Sequence, residues 1–346
     1  MNIDEITIAA QEIKAEFQRL KQKQDFYKIA KLISYSFQAI PNHLNRQIFG
    51  YVPNIFREVE IFLDESPIQQ RNIFIGEPVV YKIHYPDNIK LYNLNYFYIF
   101  CYLKENSEAL NVYFQSAHPN YRNLSPDGYT LNSSKINFEG CISGFKDNIS
   151  LMSVSDPGHS IPGYASSFYV GSAELNFTKL IAEVVESIIN LANLKTKNAL
   201  LIGSSAGTFG ALLSSTYFSQ KVNVLAVNSQ INIQYRKDII KLFPDVDRPQ
   251  ELIKKFGSQV SCLYRFRQQT NSIPNIYVLA NINDNLYQRN FNFHKLYINT
   301  HTRVGIDNQS VFDSYYGVDG HGRPESHSLK AKIKIAREVL TMKSRV

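Results

Sequence analysis

The chain has 346 residues, 44% of them hydrophobic and 19% charged, so it can bury a large core and is not a disordered chain. Lys and Arg number 37 against 30 Asp and Glu, and the net charge of +7 forms no dense block of the kind that grips nucleic acid. No apolar run approaches the roughly 18–20 residues of a membrane span. Residues 1–20, with Asp4, Glu5, Glu12, Lys14, Glu16 and Arg19, lack the apolar core of a secretory signal. Cys101, Cys141 and Cys262 fit neither a metal-ligand spacing nor a disulfide framework, so a reduced, cytoplasmic protein without a metal is expected.

Residues 3–38 read as two helices, on the spacing of Ile6, Ile13 and Phe17 and then of Phe26, Ile29, Leu32 and Ile33. Residues 1–50 are therefore expected to form a helical extension. Between 51 and 110 the pattern changes to short aromatic and β-branched runs, 59–63, 79–83 and 96–100, separated by Pro67, Gly76, Pro78 and Pro86. These read as strands that either stand apart or extend the sheet formed by the residues after 110.

From residue 111 to 346, apolar runs alternate with amphipathic stretches. The runs are 111–114, 149–154, 199–203, 222–227, 276–280 and 295–298. Helical patterns occupy 173–194, 208–218, 236–256 and 324–340. Such alternation implies an α/β fold, a mostly parallel sheet with helices on both faces.

The motif that carries chemistry is Gly203-Ser204-Ser205-Ala206-Gly207, placed between an apolar strand and a small-residue helix. A serine raised on so sharp a turn needs small neighbours, and its hydroxyl then projects above the sheet as a nucleophile. The N–H of Ala206, at the helix N-terminus, is one expected oxyanion donor. A second should follow an early strand, at Ser116 or Ala117. His118, Asp156 and His159 lie on loops at strand ends and are candidate pocket residues.

A nucleophilic serine needs a base and an orienting acid, and in this strand–turn–helix setting they follow in the order acid, then histidine. Asp284 follows the run 276–280 on a strand-end loop and is the candidate acid; Asp307, Asp313 and Asp319 are its rivals. His321, on the glycine-flanked loop before the last helix, is the candidate base, with His327 its main rival. His294 and His301 read as structural or surface residues.

Ser205, Asp284 and His321 in this order and context resemble the α/β-hydrolase superfamily over about residues 111–345. The segment 203–212, with Asn228-Ser229-Gln230 and His321-Gly322-Arg323-Pro324, is also similar to α/β-hydrolase-like proteins of bacterial surface-glycan and capsule loci. Some of these are serine-dependent carbohydrate O-acetyltransferases. The resemblance implies acyl transfer through an acyl-enzyme, acetyl-CoA as the acyl donor, and a carbohydrate hydroxyl as acceptor. A carboxylesterase or deacetylase of the same fold, and a non-catalytic assembly or glycan-binding module, are the competing functions. A homo-oligomer is compatible with the sequence.

Overall fold

The computed structural model describes residues 3–23, 56–64, 68–86, 94–117, 147–160, 166–268, 273–304 and 310–342, together with residues 25, 28, 29, 31, 32, 35, 89, 140 and 164. The first element is helix α1 (Ile3–Gln22). Three strands come next: β1 (Arg57–Phe62), β2 (Pro78–His84) and β3 (Tyr96–Tyr102). Then come β4 (Leu110–Phe114), β5 (Ser150–Val154) and α2 (Phe177–Leu191). The next are β6 (Ala199–Ser204), α3 (Ala206–Ser215) and β7 (Asn223–Val227). After them lie α4 (Pro249–Val260), α5 (Cys262–Gln268) and β8 (Asn275–Asn281). The last are α6 (Tyr287–Val304), β9 (Ser310–Tyr315) and α7 (Ser326–Met342).

The nine strands among the described residues join one sheet in the order β1-β2-β3-β5-β4-β6-β7-β8-β9. Every neighbouring pair is parallel except those made by β3, which runs against both β2 and β5. Residues 57–102 thus supply three strands of the same sheet that carries β4 to β9.

Side chains alternate between the two faces with the strand period of two. Leu201, Val224 and Ala226 face Ile181, Val185, Phe209 and Phe293 of α2, α3 and α6. Leu200, Leu225 and Leu279 face Ile13, Phe17 and Leu20 of α1 and Ala336 and Leu340 of α7. With both faces covered, the central strands are continuous apolar runs. Much of the Phe and Tyr content is core: Tyr81, Phe97, Phe100, Phe114, Tyr169, Phe177 and Phe209 are fully buried.

Two expectations need correction. The apolar run 295–298 is not a strand; it lies within α6, where Phe293 and Tyr297, four residues apart, face the core together. The last strand is instead Ser310–Tyr315, an edge strand whose half-buried residues give a weak apolar signal. It pairs with β8 from Ile276↔Ser310 to Asn281↔Tyr315. Most of the second expected N-terminal helix lies outside the described residues. Among the described residues no helix is long and apolar enough to cross a membrane.

Parallel strands share one carboxyl edge. β4 lies between β5 and β6, so the chain crosses to one side of it for β5 and to the other side for β6. At such a reversal of strand order the loops splay apart and leave a crevice. The loops after β4, β6, β7, β8 and β9 all open there.

Candidate active site

The turn after β6 is built by its small residues. Ser205 has φ 52° and ψ −115°, a left-handed conformation that costs a non-glycine residue about 1–3 kcal/mol. A Cβ on Gly203 would sit 2.4 Å from the Gly207 backbone, and one on Gly207 would sit 2.3 Å from the Phe114 carbonyl oxygen. Only glycines let β6, α3 and the end of β4 approach this closely. Ser205 N–H donates to Val227 O (2.9 Å), and Thr208 Oγ1 donates to the same carbonyl (3.1 Å). Ala206 opens α3, so its N–H has no acceptor within the helix.

Ser205 Oγ lies 2.7 Å from His321 Nε2, and His321 Nδ1 lies 2.7 Å from Asp284 Oδ2. The Asp284 side chain is 1% exposed and that of His321 38%, so the chain runs from a buried carboxylate to an open hydroxyl. With Nδ1–H donating to the carboxylate, Nε2 is the free acceptor for the serine proton. Asp284 Oδ1 also accepts from Leu286 N–H (2.9 Å), which fixes the carboxyl plane. Such a chain can make the serine hydroxyl a nucleophile and hold the resulting imidazolium.

This serine follows the sixth strand of a mostly parallel sheet, at a glycine-bounded strand–turn–helix. The architecture is an α/β fold, a mostly parallel sheet with helices on both faces. A scan against protein-family models and a search of curated proteins each find no match for this sequence. Solved structures do align with it. The capsule O-acetyltransferase of Neisseria meningitidis serogroup A is 14% identical, over 70% of this chain and 90% of that one, with a TM-score of 0.49. A further structure of that acetyltransferase, a mutant in complex with CoA, aligns over 69% and 91% at 14% identity, also with a TM-score of 0.49. A hyperthermophilic esterase from the archaeon Pyrobaculum calidifontis aligns over 79% and 86% at 14% identity, with a TM-score of 0.43.

The serine opens into a cavity of about 450 Å³, lined in part by Ser116, Ala117, Phe168, Gln230, Arg236 and Arg323. Ser116 and Ala117 therefore border the same space as Ser205. Ser116 Oγ donates to Ser204 O (2.8 Å), tying the loop after β4 to the turn. Arg236 sits 4.8 Å over the Phe168 ring and pairs through two nitrogens with Asp238.

The other expected pocket residues fare differently. His118 lies outside the described residues. His159 falls in the short 3-10 turn Pro157–Ser160. Asp156 does not line the cavity; it is fully buried behind it. Its carboxylate accepts from Gly158 N–H (2.9 Å), Ser166 Oγ (2.5 Å), Ser167 N–H (2.9 Å), Ser167 Oγ (2.5 Å) and Phe168 N–H (3.2 Å). Those bonds offset the strain of Phe168 and Tyr169, both at positive φ, and so set Phe168 in the cavity wall. A carboxylate needs donors once buried, and Gly158 with residues 166–168 provides them.

The rival residues lie elsewhere. His327, in the first turn of α7, is 82% exposed and pairs with Glu325. His294 is half-buried against Phe312, bonded to Ser310 Oγ (2.7 Å), and burial lowers its pKa. Asp313 pairs with Lys332, and Asp319 serves the loop through its backbone carbonyl. Asp307 and the His301 side chain lie outside the described residues. Among the described residues no group of three His, Cys, Asp or Glu side chains could hold a metal ion.

Two buried asparagines support the histidine loop, and sequence reasoning missed both roles. Asn281 Nδ2 faces the carbonyls of Gly317 (3.1 Å), Asp319 (3.2 Å) and Gly320 (2.8 Å), while its Oδ1 accepts from Gly317 N–H (3.0 Å) and Asn283 N–H (3.2 Å). Asn228, at φ 46°, accepts from Asn281 N–H (2.8 Å) and donates to Tyr315 Oη (2.7 Å) and Gly322 O (2.9 Å). An amide can serve donors and acceptors together, which a loop of unpaired backbone groups requires. The one signal was a polar residue ending each of two apolar strands.

Proposed function

We propose that this protein is a serine-dependent acyl-transfer enzyme that works through an acyl-enzyme. The observation that supports it best is the continuous Ser205–His321–Asp284 hydrogen-bonded chain at the mouth of a cavity. In this reading Ser205 Oγ attacks the acyl carbonyl carbon while its proton passes to His321 Nε2. Asp284 orients the imidazole and stabilises its charged form. The N–H of Ala206, with one from Ser116 or Ala117, receives the oxyanion. The carbonyl re-forms, the leaving group departs with the proton from His321, and the acyl group stays on Ser205. A second hydroxyl then attacks, and the sequence of proton transfers reverses.

The acceptor we propose is a carbohydrate hydroxyl of a bacterial surface glycan, and the donor acetyl-CoA. The similarity of segments 203–212, 228–230 and 321–324 to glycan O-acetyltransferases supports both. Hydrolysis differs only in that water takes the acceptor's place, so exclusion of water separates the two outcomes.

A fluorophosphonate probe tests the first half. Wild type is expected to be labelled and Ser205→Ala to be silent; equal labelling of the two would remove Ser205 as nucleophile. Incubation with acetyl-CoA tests the second half. Acetyl ester on an added surface glycan supports transfer. Free acetate alone makes the protein a hydrolase, and an unlabelled, inert wild type makes it a non-catalytic module.

A further inference from the structure

A second cavity, of about 400 Å³, adjoins the serine cavity and shares Gln230 with it. Its floor is apolar: Ile231, Leu263, Leu286, Phe293 and Leu296. Its rim is polar and almost uncharged. Among the described lining residues it offers two asparagines, Gln230, Ser229 and the exposed Tyr235, with Arg289 as the single charge and no carboxylate.

Ser229 supplies the second observation. The residue is 1% exposed, and its Oγ has no hydrogen-bond partner. Its backbone is clamped to α6, because Asn290 Oδ1 accepts from Ser229 N–H (2.9 Å) and Asn290 Nδ2 donates to Ser229 O (3.3 Å). The hydroxyl is therefore held in place with its bonding capacity unused, a rare condition for a buried polar atom. Asn232 spends its Oδ1 on Ser261 (2.6 Å) and keeps its Nδ2.

We infer that this cavity is the acceptor subsite and that it takes a hydroxyl-rich saccharide ring. The inference rests on the acyl-enzyme reading above. An acyl chain would fill the apolar floor but leave Ser229 Oγ unpaired. An anionic acceptor would call for more than one cation. A saccharide has an apolar C–H face for the floor and for Tyr235, and hydroxyls at its edge that both donate and accept, which matches amides and a serine hydroxyl. Gln230, on the shared wall, stands where the reacting hydroxyl passes from one cavity to the other. In the transfer step that hydroxyl oxygen bonds to the acyl carbon on Ser205, its proton moves to His321 Nε2, and the C–O bond to Ser205 breaks as Oγ takes that proton.

The test uses full-length Ser205→Ala protein on arrayed neutral and acidic oligosaccharides, so that retention is read without turnover. At least one oligosaccharide is expected to be retained. Adding Tyr235→Ala or Asn292→Ala, both at exposed positions that leave the fold intact, should weaken retention about tenfold or more. With Ser205 present, the control His327→Ala, outside both cavities, should leave fluorophosphonate labelling within about twofold of wild type. No retained oligosaccharide, or retention indifferent to both substitutions, overturns the assignment. Slower acylation by 4-nitrophenyl butyrate with unchanged retention gives the cavity to an acyl chain instead. If wild type is not labelled yet oligosaccharide is retained, the acyl-enzyme reading falls and the saccharide site stands.

Discussion

Asn281→Asp is the sharpest probe of how the histidine loop is held, because it changes one group and almost no volume. The carboxylate keeps the acceptor for the N–H groups of Gly317 and Asn283. It replaces the amide nitrogen by an oxygen facing three carbonyls at 3.1, 3.2 and 2.8 Å. Two N–H donors are lost, at about 1 kcal/mol net apiece, and carbonyls left unsatisfied add roughly 1–3 kcal/mol more. The sum is about 3–5 kcal/mol. With an unfolding entropy of about 2.1 cal/mol/K per residue, it corresponds to a Tm lower by roughly 4–7 °C.

The loss should depend on pH. Burial among carbonyls favours the neutral form of the introduced carboxyl, so its folded pKa lies above the unfolded value of about 3.9. The deficit is therefore smallest below pH ~4 and grows as pH rises through the folded pKa. A loosened loop also misplaces His321, and a displacement of about 1 Å costs of the order of a hundredfold in rate. Thermal unfolding at pH 4 and pH 7, with the fluorophosphonate labelling rate at pH 7, measures all three effects. A variant that unfolds and labels like wild type at pH 7 would refute the reasoning, since Asn281 would then not anchor the loop.

Two further outcomes are expected from the same geometry. His321→Ala should slow labelling of Ser205 by about a thousandfold or more, whereas His327→Ala, which removes a surface side chain, should leave it unchanged; the opposite pattern would exchange their roles. Burial alone would raise the Asp313 carboxyl pKa, but hydrogen bonds from Lys332 and Tyr277 outweigh it and hold the pKa below its ordinary value. That stabilisation is present above the unfolded pKa and is lost as pH falls through the folded one. Asp313→Asn should therefore cost about 1 kcal/mol at pH 7 and progressively less as pH falls below the ordinary carboxylate range in urea unfolding; a gap constant across pH would refute the link.

Local chemistry alone determined several parts of this protein. Gly203 and Gly207 around Ser205 can be read from five residues, because the collisions they avoid are within one turn and its nearest strand. The central strands are legible as short apolar runs because both of their faces are buried. The terminal helix is legible from its period. What the tertiary structure decided is long-range. His321 reaches Asp284 across 37 residues and Ser205 across 116, and no local pattern ranks it above His327 by distance. The run 295–298 could be strand or helix, since three adjacent apolar residues carry no period; packing of Phe293 and Tyr297 on one helix face settled it. Asp156 looked like a pocket residue by its place after a strand, and only the fold shows its carboxylate turned inward to five donors. The loop-holding roles of Asn228 and Asn281 were likewise decided only by the fold. An amide's role is set by which backbone groups the fold leaves unpaired around it, and those groups come from loops far apart in the chain.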